Sequence, residues 1–243
     1  MALVALVAAA GPRWERTAPA EGAARDLPPD QVGTFSIVAY DPQRKEWGVA
    51  VQSCILAVGS MVPFARSEVG AIATQAYANT TFGPRGLDML ADGHSAEEVV
   101  KALIQSDHGR ERRQLAVIDK EGRLAHYTGK DCTEWAGAVT GEHYSCQGNI
   151  LAGPQVVQAM TQAFEKARGS LADRMLAALE AGQQAGGDRR GQQSAAMLVV
   201  KKGAGWNGFD DRFIDLRVDD HPSPIAELKR LVNLRLGRSR SGG

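Results

Sequence analysis

Thr34 is the residue whose type and position most directly suggest chemistry, because it follows Gly33 and opens a strand pattern. If the peptide bond before Thr34 is cut, the residue carries a hydroxyl nucleophile and a free α-amine that can take its proton. Residues 34–40 read TFSIVAY, a β-branched and aromatic run that Asp41-Pro42 closes as a turn would. Threonine is also common in strands, so the alternative interpretation is a purely structural Thr34.

Amide side chains stand at the ends of two other predicted strands. Gln75 lies near the end of one apolar run, and Gln147 and Asn149 lie near the end of another. Amides close to a nucleophile can donate hydrogen bonds to a developing oxyanion, so Gln75 and Asn149 are catalytic candidates and Gln147 is a substrate-binding candidate. The structural alternative is that these amides brace turns.

Charged and polar residues elsewhere are candidates for holding a polar or carboxylate-bearing substrate. Asp188 and Arg189 lie in a glycine-rich stretch, and Arg85 follows the proline of a predicted helix. Ser53, at the end of the second predicted strand, completes the substrate-binding set. A solvated connector is an equally open interpretation of the glycine-rich stretch.

The composition of the chain limits the kinds of molecule that it is expected to bind. The 243 residues carry 28 basic and 28 acidic side chains without a long single-sign block, which argues against a nucleic-acid or anionic-membrane surface. The three cysteines and five histidines lack metal-ligand spacing, so we expect no metal site. The expected partner is a small molecule or short peptide, no cofactor is needed, and a homo-oligomer is possible.

The two ends of the chain differ in composition from the middle. Residues 2–10 are apolar but too short to cross a bilayer, and no Lys or Arg precedes them, so export and cytoplasmic residence are equally open. We expect residues 1–33 to be a disordered or cleaved leader, residues 34–235 to form the folded domain, and residues 236–243 to be a disordered tail.

Hydrophobic periodicity predicts an α+β fold. The predicted strands are 34–40, 47–53, 69–76, 113–119, 123–129, 135–140, 144–147, 194–201 and 212–218, and the predicted helices are 84–93, 96–106, 154–167, 171–183 and 223–234. Ser95 with Glu98 three residues later predicts a capping box at the start of the helix over 96–106. Helices come in pairs between groups of strands, which disfavours a doubly wound parallel sheet. The order fits two antiparallel sheets packed face to face and flanked by helices, with the Thr34 strand central. The glycine motif at 203–208 precedes a strand, which predicts a hairpin loop and not a dinucleotide site.

Several segments together resemble the family called domain of unknown function 1028: TFSIVAYDPQRKEWGVAVQS, VGAIATQAYANTTFGPRGLDML, YSCQGNILAGP and GGDRRGQQSAAMLVV. That family is grouped with the N-terminal nucleophile (Ntn) hydrolases, and the resemblance runs from Thr34 to about Leu234. It implies a four-layer αββα sandwich, a nucleophile at Thr34 and, as in proteasome-type relatives, a cut Gly–Thr bond. An Asp and a Lys assist the threonine in those relatives. Here the matching strand end reads VQSC without the Asp, and only Arg66 loosely suits the Lys position.

The leading hypothesis from the sequence is an Ntn-type hydrolase of an amide or related C–N bond, with Thr34 as nucleophile. A second hypothesis is a cysteine-dependent hydrolase using Cys146 or Cys54. A third is a non-catalytic ligand-binding or assembly module on the same fold, since fold does not imply function.

Overall fold

The structure is a computed structural model and describes residues 33–238. Its strands are β1 Thr34–Asp41, β2 Glu46–Ser53, β3 Pro63–Arg66, β4 Gly70–Ala76, β5 Arg113–Asp119, β6 Leu124–Thr128, β7 Gly137–Gly141, β8 Tyr144–Asn149, β9 Ser194–Val200 and β10 Arg212–Val218. Its α-helices are α1 Phe82–Ala91, α2 Ala96–Gln105, α3 Gln155–Lys166, α4 Leu171–Gln184 and α5 Pro224–Arg235.

The strands form two antiparallel sheets. The larger sheet has the order β10-β9-β2-β1-β8-β7, and the smaller has the order β3-β4-β5-β6. β1 is an inner strand, and every residue of β1 and β2 is buried. The first residue of β1, Thr34, is opposite Ser53 on one side and Asn149 on the other. The register therefore places three polar residues from distant parts of the chain at one end of the sheet.

Three apolar layers hold the sandwich together. Helices α3, α4 and α5 cover the outer face of the larger sheet, and α1 and α2 cover the outer face of the smaller one. Successive side chains of β1 alternate between two layers: Phe35 and Ile37 pack under the helices, whereas Val38 and Tyr40 pack between the sheets. By the same alternation, the side chain of Thr34 faces the space between the sheets.

This architecture confirms the predicted α+β sandwich of antiparallel sheets. The capping box predicted at Ser95 and Glu98 is present at the start of α2, and the motif at 203–208 is the loop of the β9–β10 hairpin. Strand β3 was not predicted, because its four residues are mostly half-buried and begin at a proline. Helix α1 begins at Phe82, two residues before Pro84, where a proline of the first turn still leaves every intrahelical bond intact.

Parts of the predicted leader and tail lie outside the described residues, at 1–32 and 239–243. Within residues 33–238, none of the helices combines the length and the apolar character that spanning a membrane requires.

Candidate active site

The hydroxyl of Thr34 lies in a short chain of hydrogen bonds that ends on the preceding carbonyl. Thr34 Oγ1 donates to Ser53 Oγ at 3.2 Å, and Ser53 Oγ donates to the carbonyl oxygen of Gly33. Thr34 and Ser53 are both fully buried. The register of β1 and β2 creates this arrangement, because it places the two hydroxyls opposite each other on the face between the sheets.

A guanidinium group provides the second donor to the Gly33 carbonyl oxygen. Arg190 Nη2 lies 2.9 Å from Gly33 O. A hydrogen bond from a cation is stronger than one from a neutral donor and stabilises negative charge that develops on that oxygen. One carbonyl therefore has a hydroxyl and a cation on its oxygen, with a second hydroxyl close by on the next residue.

Asp188 holds Arg190 in this position. Its carboxylate accepts from Arg190 Nη2 at 2.7 Å, from Arg190 Nε at 3.1 Å and from the backbone N–H of Arg190 at 2.9 Å. The backbone N–H of Cys54 adds a fourth contact at 3.3 Å. The Asp188 side chain is 0% exposed and that of Arg190 is 14% exposed, so the pair is largely withdrawn from water.

A network of amides lies next to Thr34 between the sheets. Gln114 Oε1 accepts from Gln75 Nε2 at 2.8 Å and from Asn149 Nδ2 at 3.0 Å. Gln75 Nε2 also reaches the carbonyl oxygen of Thr34 at 3.4 Å, and Ser36 Oγ donates to Gln75 Oε1 at 2.6 Å. In this arrangement the amides of Gln75 and Asn149 face Gln114 and Thr34's own carbonyl; their role as oxyanion donors stays a prediction.

The polar region continues to Gln147 and Ser145 on β8. Gln147 Nε2 donates weakly to Ser36 Oγ and to the carbonyl oxygen of Ala73, each at 3.4 Å. Gln147 Oε1 and Ser145 Oγ are buried and have no hydrogen-bond partner among the described residues. Buried polar atoms are usually satisfied, so these two atoms are costly to bury at this position.

Two of the predicted substrate-binding residues lie outside this cluster. Arg85 is on the exposed face of α1, where its guanidinium donates to Ser106 Oγ at 3.1 Å. Arg189 is exposed, and its guanidinium donates to the carbonyl oxygen of Glu134 at 2.7 Å. Among the predicted residues, Thr34, Ser53, Gln75, Gln147, Asn149 and Asp188 are brought to the same end of the sandwich.

Sequence reasoning missed Arg190, Gln114 and Ser36. The signal for Arg190 is present in the sequence, since two arginines follow Asp188, but the prediction names only Arg189. Gln114 and Ser36 are polar positions inside otherwise apolar strands, and such residues are buried only when hydrogen bonds compensate for the lost water.

The thiols of Cys146 and Cys54 lack the lowered pKa that a nucleophilic cysteine requires. Burial raises the pKa of the fully buried Cys146 thiol to about 12. Burial, and then the Asp188 carboxylate, raise the pKa of the Cys54 thiol above its ordinary value. Both thiols are therefore protonated at neutral pH, whereas the thiolate is the reactive form.

The described residues contain no cluster of three or more side chains able to hold a metal ion. A cleft of about 710 Å³ is present at the opposite end of the sandwich, lined by Tyr40, Trp47, and lysines that include Lys45 and Lys201. Its lysines are largely engaged by carboxylates, as in the 2.8 Å contact of Lys202 with Glu68. That cleft is separate from the buried Thr34 cluster.

The fold and cluster define an α+β sandwich of two antiparallel sheets with a buried hydroxyl, amide and arginine centre at one end. The sequence model of the family of unknown function DUF1028 matches residues 34–228, and the chain belongs to that family. The crystal structure of protein SPO2555 from Silicibacter pomeroyi, of the same family, is similar, with 36% sequence identity and a TM-score of 0.76. The similarity covers 83% of this chain and 85% of that one. A comparison with curated proteins found no match.

Proposed function

We propose that this protein is an Ntn-type hydrolase that cleaves an amide or related C–N bond in a small molecule or short peptide. Thr34 is the nucleophile once residues 1–33 are removed. The observation that carries the proposal is the contact of Ser53 Oγ and Arg190 Nη2 with the carbonyl oxygen of Gly33, directly beside the Thr34 hydroxyl.

The free α-amine of Thr34 acts as the general base. A terminal amine has an ordinary pKa of about 7.7–8.0, so a useful fraction is neutral near pH 7.5. Thr34 Oγ attacks the substrate carbonyl as its proton passes to the amine, the C–N bond breaks, and the departing nitrogen takes that proton. Water then hydrolyses the ester on Thr34 Oγ and releases the acid.

Arg190 and Ser53 stabilise the oxyanion of the tetrahedral intermediate. Removal of a single well-placed donor typically costs about 2.7–4 kcal/mol of transition-state stabilisation. Asp188 acts through Arg190 as a positioning residue, because it accepts three hydrogen bonds from that residue.

The same groups suit cutting of the Gly33–Thr34 bond by Thr34 itself. Attack of Oγ on the Gly33 carbonyl carbon forms an ester, the C–N bond breaks, and the hydroxyl proton ends on the released amine. Water hydrolyses this ester and leaves Gly33 as a carboxylate. The full burial of Thr34 in the chain that carries Gly33 agrees with a site that opens only after this cut.

The first test is the intact mass of the protein purified from its own host. A mass that starts at Thr34 supports the proposal, and a mass that retains the Gly33–Thr34 bond in every molecule overturns it in favour of a non-catalytic module.

The second test compares Thr34→Ala with Ser60→Ala, which removes an exposed hydroxyl that donates to Ala57 O. We expect both variants to fold, and we expect only Thr34→Ala to lose hydrolysis of an activated ester, by roughly 10³-fold or more. Full turnover by Thr34→Ala would rule out the mechanism.

A further inference from the structure

Gly33 shows what kind of acyl group fits beside Thr34. Its carbonyl group occupies the position that the scissile carbonyl of a substrate takes under the proposed function, with Ser53 and Arg190 on the oxygen. The α-carbon of Gly33 therefore marks the position of the first carbon of the acyl group. What surrounds that carbon decides which acyl groups can enter.

A side chain at this carbon would overlap the Asp188–Arg190 pair. A Cβ built on Gly33 lies 2.7 Å from Asp188 Oδ2, 2.8 Å from Arg190 Nη2 and 2.9 Å from Asp188 Oδ1. Real Cβ atoms essentially never approach other heavy atoms to less than 3.0 Å, so the protein must move to admit one.

The atoms that meet this Cβ cannot move away cheaply. Asp188 is buried, and moving its carboxylate weakens contacts to Arg190 and to the Cys54 N–H. The loop backbone is also held, since the N–H of Arg189 donates to Ile150 O at 3.0 Å and the N–H of Gly191 donates to Asp188 O at 2.9 Å. Separating a buried ion pair from its hydrogen bonds is costly, because neither charge regains water.

We propose that this site selects acyl groups with no L-side chain on the α-carbon, so that its substrates are glycyl-type amides. This inference rests on the proposed function and adds the class of acyl group to it. An extra methyl group in a pocket that already fits its substrate changes selectivity by about 10–200-fold, which sets the expected size of the effect.

The test uses two esters with the same leaving group, the 4-nitrophenyl esters of N-acetylglycine and N-acetyl-L-alanine. The protein is the mature chain from its own host, and Thr34→Ala provides the background rate. Thr34 Oγ forms a bond to the acyl carbon, the ester C–O bond breaks, and 4-nitrophenolate leaves while the hydroxyl proton passes to the α-amine. Mass spectrometry of the trapped intermediate locates the acyl group, and nitrophenolate release gives the rate.

We expect acylation of Thr34 by the glycyl ester at least about 10-fold faster than by the L-alanyl ester, after correction for their uncatalysed hydrolysis. A smaller ratio, with both acyl groups on Thr34, overturns the selectivity and leaves the proposed function standing. If neither ester acylates Thr34, the proposed function fails, and the selectivity fails with it.

A second measurement, the rate at which the Gly33–Thr34 bond is cut, tests the same selectivity without an added substrate. Gly33→Ala places a methyl group at the crowded position, and Gly203→Ala changes a glycine where a Cβ meets nothing within 4 Å, although its φ is positive. We expect Gly33→Ala to slow appearance of the chain that starts at Thr34 by about 10-fold or more, and Gly203→Ala to leave it unchanged. Equal rates of cleavage in Gly33→Ala and the native chain would overturn the proposed selectivity.

Discussion

The space between the two sheets has an apolar end and a polar end, although the same strands line both. At the apolar end Val38, Val49 and Val51 pack against alanines of the smaller sheet with no exposed surface. At the polar end the equally buried side chains are Thr34, Ser36, Gln75, Gln114 and Gln147. Burial is the same at both ends, and only the chemistry of the side chains differs.

This difference means that the polar end stabilises the fold less than apolar side chains at the same positions would. Burying apolar surface contributes about 25 cal/mol per Å², whereas a buried amide only recovers what it lost to water if every hydrogen bond is made. Here Gln147 Oε1 lacks a hydrogen-bond partner among the described residues. Groups retained at such a cost are characteristic of functional sites, where polar chemistry is needed in a dry environment.

The largest expected effect on stability comes from the ion pair at the polar end. Asp188→Asn removes the buried carboxylate charge that accepts three hydrogen bonds from Arg190, so we expect the free energy of unfolding to fall by about 3 kcal/mol or more. Urea unfolding at pH 7 measures the change. The control is Asp88→Asn, which breaks an exposed pair with Arg66 and is expected to cost less than about 1 kcal/mol. Similar costs for the two variants would mean that the Asp188–Arg190 pair is well solvated.

A smaller effect on stability is expected when a hydroxyl is added at the apolar end or removed from the polar end. Val49→Thr keeps the side-chain shape but adds a hydroxyl to the apolar end, where its register neighbours Val38 and Leu198 have apolar side chains, and we expect a loss of about 1–3 kcal/mol. Ser36→Ala removes a hydroxyl from the polar end and leaves Gln75 Oε1 without its 2.6 Å donor, for a loss in the same range. Thermal unfolding of both variants tests the comparison, and an unchanged Val49→Thr would show that water reaches the apolar end.

The smallest effect concerns Glu46, a buried carboxylate beside the apolar end. Burial raises its pKa above the ordinary value of 4.5, against the opposing Lys201 ammonium at 3.6 Å. A raised pKa means that the folded state holds this proton more tightly. The stabilising contribution is therefore complete below pH 4.5 and is lost as pH rises through the folded-state pKa.

At pH 7 the charged Glu46 is unfavourable, so Glu46→Gln should raise the free energy of unfolding, by less than about 1 kcal/mol. The gain should shrink at pH 4, and urea unfolding at both pH values measures it. Glu68→Gln removes the same charge at an exposed position and should change little. A loss of stability in Glu46→Gln at pH 7 would show that the ion pair with Lys201 outweighs the cost of burial.

Much of the fold could be predicted from the sequence because it depends on local patterns. The alternation in residues 34–40 predicted β1, and Ser95 with Glu98 predicted the start of α2. The four-residue β3 could not be predicted, since its pairing with β4 and not its own composition makes it a strand.

The candidate site could be predicted only in part. Thr34 was found because its position at the start of a strand can be read locally. Arg190 and Gln114 were not, because nothing near them in the chain reveals their partners: 157 residues separate Arg190 from Gly33, and 39 separate Gln114 from Gln75. Arg189 and Arg190 are adjacent and chemically alike, and only the turn of the loop decides which one faces Gly33.

The sequence by itself determined the order of the helices and of every strand except β3, the position of Thr34 at the start of an inner strand, and the family. The tertiary structure decided which polar residues share a space, because the register of β1 with β2 and β8 places Ser53 and Asn149 beside Thr34. It also decided that the Asp188–Arg190 pair closes on Gly33. Periodicity is a property of neighbours along the chain, whereas a site is formed by contacts between distant segments, and these exist only once the sheets have packed.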